Sequence, residues 1–243
     1  MSKRVCKIID IHSHILPNVD DGSDSFDTSL AILKKQQLKG VEKVILTPHY
    51  KHGSYNTPIN ELQEKFRDFK NKVKEKGLNV ELFLGQEIFC DDDIYDNLKN
   101  GVVSSINNTK YVLVEFNIFR SSPILEYVRN LTALGYVPII AHVERYLYLD
   151  AESLIDLKQM GALIQANAES VIGHNGKKMQ DYLLEGIAKG LIDFVASDIH
   201  TKRQTKLYKA YKIVEKYICE EAARAVFYEN AERYLINNEN GGL

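Results

Sequence analysis

Seven short apolar runs recur along this chain, separated by longer amphipathic stretches. The runs are KIIDIH (7–12), VEKVILTPH (41–49), VELFLGQEI (80–88), YVLVEF (111–116), VPIIAHVE (137–144), ALIQANAE (162–169) and DFVASDIH (193–200). All are short and most are rich in Val, Ile or Leu, as strands buried on both faces should be. Between them the apolar period changes. Ile59, Leu62, Phe66, Phe69 and Val73 recur at spacings of three and four, with Gly77 as a stop, and Leu207, Tyr211, Val214 and Ile218 repeat the pattern. Phe26, Leu30 and Leu33 mark a first helix, with Ser25 or Asp24 as its cap. This alternation predicts an α/β fold of parallel strands and crossover helices. An open doubly wound sheet usually carries a glycine-rich phosphate loop after its first strand. Here that strand ends in HSH, which favours a barrel. No Pro/Gly/Ser linker divides the 243 residues, so a single domain is expected, with a core over about 7–236 and a frayed tail at 237–243.

The C-terminal ends of the runs carry the candidate chemistry. His12 and His14 stand at i and i+2 and share a face of an extended segment. Later runs end in His49, Glu87, Glu115, His142 followed by Glu144 and Arg145, and finally Asp198 and His200. Parallel barrel strands bring such ends to one rim. One histidine at a strand end is most often a satisfied polar residue. Five of the chain's seven there are not so easily explained. Burying imidazoles and carboxylates side by side is costly without counter-charge, and divalent cations supply it. With one of Asp20 and Asp21, nine donors are available. That is too many for one ion and generous for two. Four carboxylates against three divalent ions leave about +2, and Arg145 and Arg203 lie near His142 and His200. A positive, arginine-flanked pocket suits a phosphate ester.

Bulk properties remove other classes. The net charge of −2 offers no basic excess for nucleic acid. No apolar run approaches the length of a membrane helix, and three unpatterned cysteines fit a reducing cytoplasm. Thiolate phosphatases need Cys-x5-Arg, but the sixth residues after Cys6, Cys90 and Cys219 are His12, Asp96 and Ala225. The cysteines therefore read as packing residues.

DxHxH, the following DDG, TPHY (47–50), GQE (85–87), AHVERY (141–146) and ASDIH (196–200) resemble the polymerase-and-histidinol-phosphatase (PHP) superfamily. More narrowly, they resemble the manganese-dependent protein-tyrosine phosphatases of bacterial capsule and exopolysaccharide operons. The likeness runs from about residue 7 to 236, with the motifs in order. It implies a distorted, TIM-like (β/α)7 barrel and three divalent metal ions, manganese by resemblance, with iron, zinc and cobalt also admitted by the donors. It implies one ion among His12, His14, Glu87 and Asp198. Glu87 would bridge to a second, completed by Glu115 and His142, and the third would take His49, His200 and Asp21. Arg145 and Arg203 would bind phosphate oxygens, although DIHTKRQTK lacks the family's more distant, proline-flanked arginine.

The implied reaction is attack on phosphorus by water activated between metal ions. It is implied to act on the phosphotyrosine-bearing tail of a bacterial tyrosine kinase. A phenol with a pKa near 10 leaves far more easily than a serine alkoxide. The nearest alternative is a small-molecule phosphomonoesterase such as histidinol phosphatase. Lys202, Arg203, Lys206, Lys209, Lys212 and Lys216 read as a solvated helix face or a docking surface for an acidic tail. Asp91 to Asp93 should open a short helix. Tyr50, His52 and Tyr55 should follow His49 in a polar loop that either lines the pocket mouth or lies plainly on the surface, and His174 should be exposed.

Overall fold

The computed structural model describes residues 6–201 and 205–237. Its strands are all parallel: β1 (Ile8–Asp10), β2 (Val41–Leu46), β3 (His49–Tyr50), β4 (Glu81–Leu84), β5 (Glu87–Phe89), β6 (Tyr111–Glu115), β7 (Val137–Ile140), β8 (Leu163–Asn167) and β9 (Phe194–Ala196). They run in the orders β1-β2-β4 and β3-β5-β6-β7-β8-β9, a curled sheet in two parts. Past the ends of β9 and β1, Ser13 bridges to Ile199, His14 N–H reaches Ile199 O at 3.0 Å and Asp198 N–H reaches His12 O at 2.9 Å.

Two of the expected strands are each broken in two. Run 41–49 breaks before His49 because Pro48 has no N–H to continue the ladder. Run 80–88 breaks at Gly85. A Cβ at Gly85 would come within 3.1 Å of the Ile106 side chain, a contact tight enough to favour glycine at this break. Beyond these breaks β3 and β5 pair with each other, and β5 goes on to pair with β6. His49 is thereby set directly opposite Glu87.

Side-chain alternation builds two layers of core. Val44, Leu46, Val112, Val114, Ile140, Ile164 and Val195 belong to the cluster packed by the helices. Ile9, Ile45, Leu113, Ile139, Leu163 and Phe194, from six strands, form a second, interior cluster. Full burial of such side chains contributes about 1.5–3 kcal/mol each. Ala231, between the wide helical turns Ala225–Glu229 and Glu232–Ile236, and Leu235, on the second, close this interior, and Lys43 fastens them through Glu232 at 2.7 Å.

The helices are α1 (Phe26–Gln37), α2 (Ile59–Glu75), α3 (Ile94–Lys99), α4 (Ile124–Ala133), α5 (Ala151–Gln159), α6 (Ala168–Val171), α7 (Lys177–Ala188), α8 (Leu207–Tyr217) and α9 (Glu220–Arg224). Ser25 caps α1 by accepting from Thr28 N–H at 3.3 Å, while Asp24 accepts from the Ser25 and Thr28 hydroxyls. In α2 and α8 the predicted apolar stripe faces inward, burying Leu62, Phe69, Val73, Leu207, Tyr211 and Val214. Asp91 accepts from Asp93 N–H just before α3, and His174 is exposed. Cys6 and Cys90 are buried, but Cys219 is exposed and caps α9 through its sulfur, so it is not a packing residue. Among the described residues no helix is long and apolar enough to cross a membrane. Lys202, Arg203 and residues 238–243, most of the expected tail, lie outside the described residues.

Candidate metal centre

Glu87 opens β5 and is fully buried at the centre of the curled sheet's C-terminal end. Its Oε2 stands 3.1 Å from His12 Nε2, 3.2 Å from His14 Nε2 and 3.1 Å from His49 Nδ1. Its Oε1 is 2.7 Å from His142 Nε2. Despite these neighbours, Oε2 has no hydrogen bond of acceptable geometry among the described residues. His12 and His14 also point Nε2 at each other, 3.1 Å apart. Lone pairs converging on one another in a buried space fit a shared cation.

Donor atoms of His12, His14, Glu87 and Asp198 lie within 4.8 Å of one another, as do those of His49, Glu87 and Glu115, and those of His14, His49 and His200. Asp21 Oδ1 is 3.6 Å from both His49 Nε2 and His200 Nε2. All nine candidate donors therefore meet in one place. The grouping differs from the expected one at His49, which faces Glu115 with one ring nitrogen and Asp21 with the other. His142 lies 3.8 Å from Glu115 Oε2.

The DDG motif has a steric cause. Gly22 passes so close over His14 that a Cβ would fall 1.9 Å from the His14 carbonyl oxygen. That crossing points Asp20 inward, where its carboxylate accepts from His14 Nδ1 at 2.8 Å, His49 N–H at 3.0 Å and Gly22 N–H at 2.9 Å. Asp20 is thus occupied in holding His14 and His49, and Asp21 is left to face the cavity. His142 (φ 32°) and Asp198 (φ 48°) hold left-handed backbone, which costs a non-glycine residue about 1–2 kcal/mol.

The sixth run offered no candidate, yet β8 supplies the supports. Gln165 Oε1 accepts from His12 Nδ1 at 3.1 Å and His142 N–H at 2.8 Å. This directs the Nε2 lone pair of His12 toward Glu87 and the cavity. Gln165 Nε2 donates to Asn167, whose amide donates to Asp198 Oδ2 at 2.9 Å. Buried Asp10 accepts from Ser197 Oγ at 2.6 Å and Gln36 Nε2 at 2.7 Å, tying β1 to β9 and α1. The signal for Gln165 and Asn167 was present as polar residues at i and i+2 within an apolar run.

Charges are strongly displaced. Burial raises the Glu87 carboxyl, but His12 and His49 outweigh it and hold the group well below its usual range. Burial works against charge on His14 and His49 too. Asp20 and Glu87 nevertheless lift His14 to about 9, and Glu87 with Glu115 lifts His49 to about 9. Burial and then His14 depress His200. His14 and His49 thus owe their raised values to neighbouring carboxylates, the behaviour expected of donors that exchange protons for cations.

Arg145 lies on a short helical turn after β7 and reaches Asp198 Oδ2 at 2.5 Å, with a third of its side chain exposed. With Asp21, His49, Asp198 and His200 it lines an open cavity of about 520 Å³. Arg203 lies outside the described residues. Tyr55 is half-buried and stacks on His49 at 5.5 Å, whereas Tyr50 is buried in β3 and does not reach the mouth. Lys212 pairs with Glu215 beside Cys6, before the start of β1 and away from the metal centre.

Residues 8–236 match a family model described as capsular polysaccharide synthesis, CpsB/CapC. CapC of Staphylococcus aureus is 34% identical over 240 residues, covering 96% of this chain and 90% of that protein. The tyrosine-protein phosphatase CpsB of Streptococcus agalactiae is 32% identical over 244 residues, covering 95% and 99%. A chain from the crystal structures of YwqE from Bacillus subtilis and CpsB from Streptococcus pneumoniae, described as metal-dependent tyrosine phosphatases, superposes with a TM-score of 0.88 at 28% identity over 96% of both chains.

Proposed function

We propose a division of labour at this centre from one premise: the chain belongs to the CpsB/CapC family of capsular polysaccharide synthesis. The protein is a metal-dependent tyrosine-protein phosphatase. The observation that carries our reading is the Glu87 carboxylate, buried among four imidazoles with one oxygen lacking a proper hydrogen bond.

In our reading three divalent ions, manganese by resemblance, are held by His12, His14, His49, His142, His200, Asp21, Glu87, Glu115 and Asp198. Such ions supply Lewis acidity and acidify water enough to make a nucleophile near neutral pH. The chain's own residues set the stage. Glu87, Glu115, Asp198 and Asp21 supply the negative charge that concentrates cations. Gln165 and Asp20 fix which nitrogens of His12 and His14 face inward. Arg145, held by Asp198 at one nitrogen, keeps its remaining donors for the equatorial phosphate oxygens, over which the charge of the transferring group is spread while the bonding pair departs with the phenolate. Arg203 is retained as a second phosphate contact. No general acid is required, because a phenolate can leave unprotonated.

The parallel topology, with two strands each broken in two, supports reading residues 1–243 as one domain built on a distorted (β/α)7 barrel. The substrate we infer is the phosphotyrosine-bearing tail of a cytoplasmic bacterial tyrosine kinase. That reading rests on the capsule-synthesis family and on a cavity open enough for a peptide. The test is phosphate release from a phosphotyrosine peptide with Mn²⁺, with and without chelator, alongside histidinol phosphate. Chelator-sensitive release from the peptide in preference to histidinol phosphate is expected. Release that ignores the chelator removes the reading.

A further inference from the structure

Arg145 is the divide between two cavities. Its guanidinium lines the metal-side cavity, while Glu144, Tyr146 and Leu147, its neighbours on the same turn, line a second cavity of about 490 Å³. The opposite wall comes from α7, chiefly Met179 and Tyr182. The loop after β7 and the N-terminal half of α7 both lie at the C-terminal end of the sheet, so both cavities belong to one rim.

Three of the polar groups of this second cavity, Glu144, Asp150 and Asn175, are already committed. Glu144 accepts from Asn167 N–H and the Ser170 hydroxyl. Asp150 caps α5 by accepting from Ser153 N–H, and the Asn175 amide donates to the Ser170 hydroxyl. Apart from the exposed Lys178 on α7, what remains to meet a ligand is apolar: Val143, Tyr146, Leu147, Leu149, Met179 and the ring of Tyr182. Leu147 stands 82% exposed at its edge. The adjoining loop after β6 carries Phe119, 90% exposed, and Tyr148 ties the two loops by donating its hydroxyl to Asn117 O at 3.1 Å. Large apolar side chains left in water beside a polar site mark a place where something else packs.

We propose that this cavity is a specificity subsite for an apolar side chain, aliphatic or aromatic, lying within a few residues of the phosphotyrosine in the substrate peptide. The inference rests on the phosphatase reading above. The two cavities are lined by consecutive residues, Arg145 on one side and Glu144, Tyr146 and Leu147 on the other. A peptide whose phosphoryl group is held by Arg145 passes Leu147 on leaving the metal centre.

The Mn²⁺-loaded enzyme separates the possibilities with two substrates. One is para-nitrophenyl phosphate, which has no flanking residues. The other is a phosphotyrosine peptide carrying leucine at each flanking position in turn, against alanine elsewhere. Wild type should prefer leucine at one position by about tenfold in kcat/KM, mainly through KM. Leu147→Asp, on an exposed side chain, should abolish that preference and leave para-nitrophenyl phosphate turnover unchanged. No preferred position, or a preference that survives Leu147→Asp, overturns the subsite while the phosphatase reading stands. Failure of wild type on both substrates overturns the phosphatase reading and the subsite with it.

Discussion

His12 Nδ1 and Gln165 Oε1 meet at 3.1 Å in a fully buried contact spanning 153 residues of chain. The same oxygen also accepts from His142 N–H, so one amide holds residues that follow two other strands. Gln165→Leu keeps the volume and removes the acceptor. We expect metal affinity to fall about ten- to a hundredfold, with the circular dichroism spectrum retained. Isothermal titration of metal-free protein with Mn²⁺ measures it.

Asp20 and Asp21 should part company on mutation. Asp20→Asn offers His14 an amide in place of its charged acceptor, so the first-bound ion should weaken. Asp21→Asn should leave that ion tight and reduce metal content from about three to about two per chain. Elemental analysis after dialysis against micromolar Mn²⁺ distinguishes the two. Equal losses in both variants would contradict the assignment.

Arg145→Lys keeps the charge and loses the fork. Turnover of phosphotyrosine peptide should drop about a hundredfold or more in kcat/KM. Asp198 loses its 2.5 Å partner in the same variant, so metal content must be measured alongside. Unchanged metal with lost activity supports a phosphate role.

Chelation should lower thermal stability. A ligand at a hundred times its Kd stabilises by about 2.7 kcal/mol. For a chain of this size that corresponds to a Tm change of about 5–10 °C. Differential scanning fluorimetry with EDTA and then excess Mn²⁺ gives the answer.

Proton release reports ion uptake. In the metal-free protein His14 and His49 are lifted from an ordinary 6.5 to about 9. Being raised, they stabilise the metal-free fold fully below about pH 6.5, and that contribution fades as pH climbs through about 9. At pH 7.5 both therefore carry protons that a cation must displace. Mn²⁺ addition in weak buffer should acidify the solution, and affinity should increase with pH until about 9. Uptake without acidification would contradict these charge states.

Much of this molecule could be read before any coordinates. Strand positions followed from apolar runs, because parallel strands buried on both faces have little freedom in composition. The eight candidate donors outside DDG, picked by type and by position at strand ends, are side chains that the fold brings together. Three things were hidden. The break at Gly85 faces Ile106, a contact the letters of the run do not show. The role of Gln165 depends on which atoms it faces, and a neutral amide within an apolar run signals nothing by charge. Asp20 and Asp21 are equivalent as letters, and only the crossing at Gly22 tells them apart.

His142 and Asp198 stand on left-handed backbone that glycine would occupy without strain. A population of variants selected for heat tolerance alone would therefore gain by discarding these two side chains, relaxing the main chain while extinguishing turnover. Robustness and activity pull in opposite directions at these positions, and any programme to harden this enzyme must score both traits together.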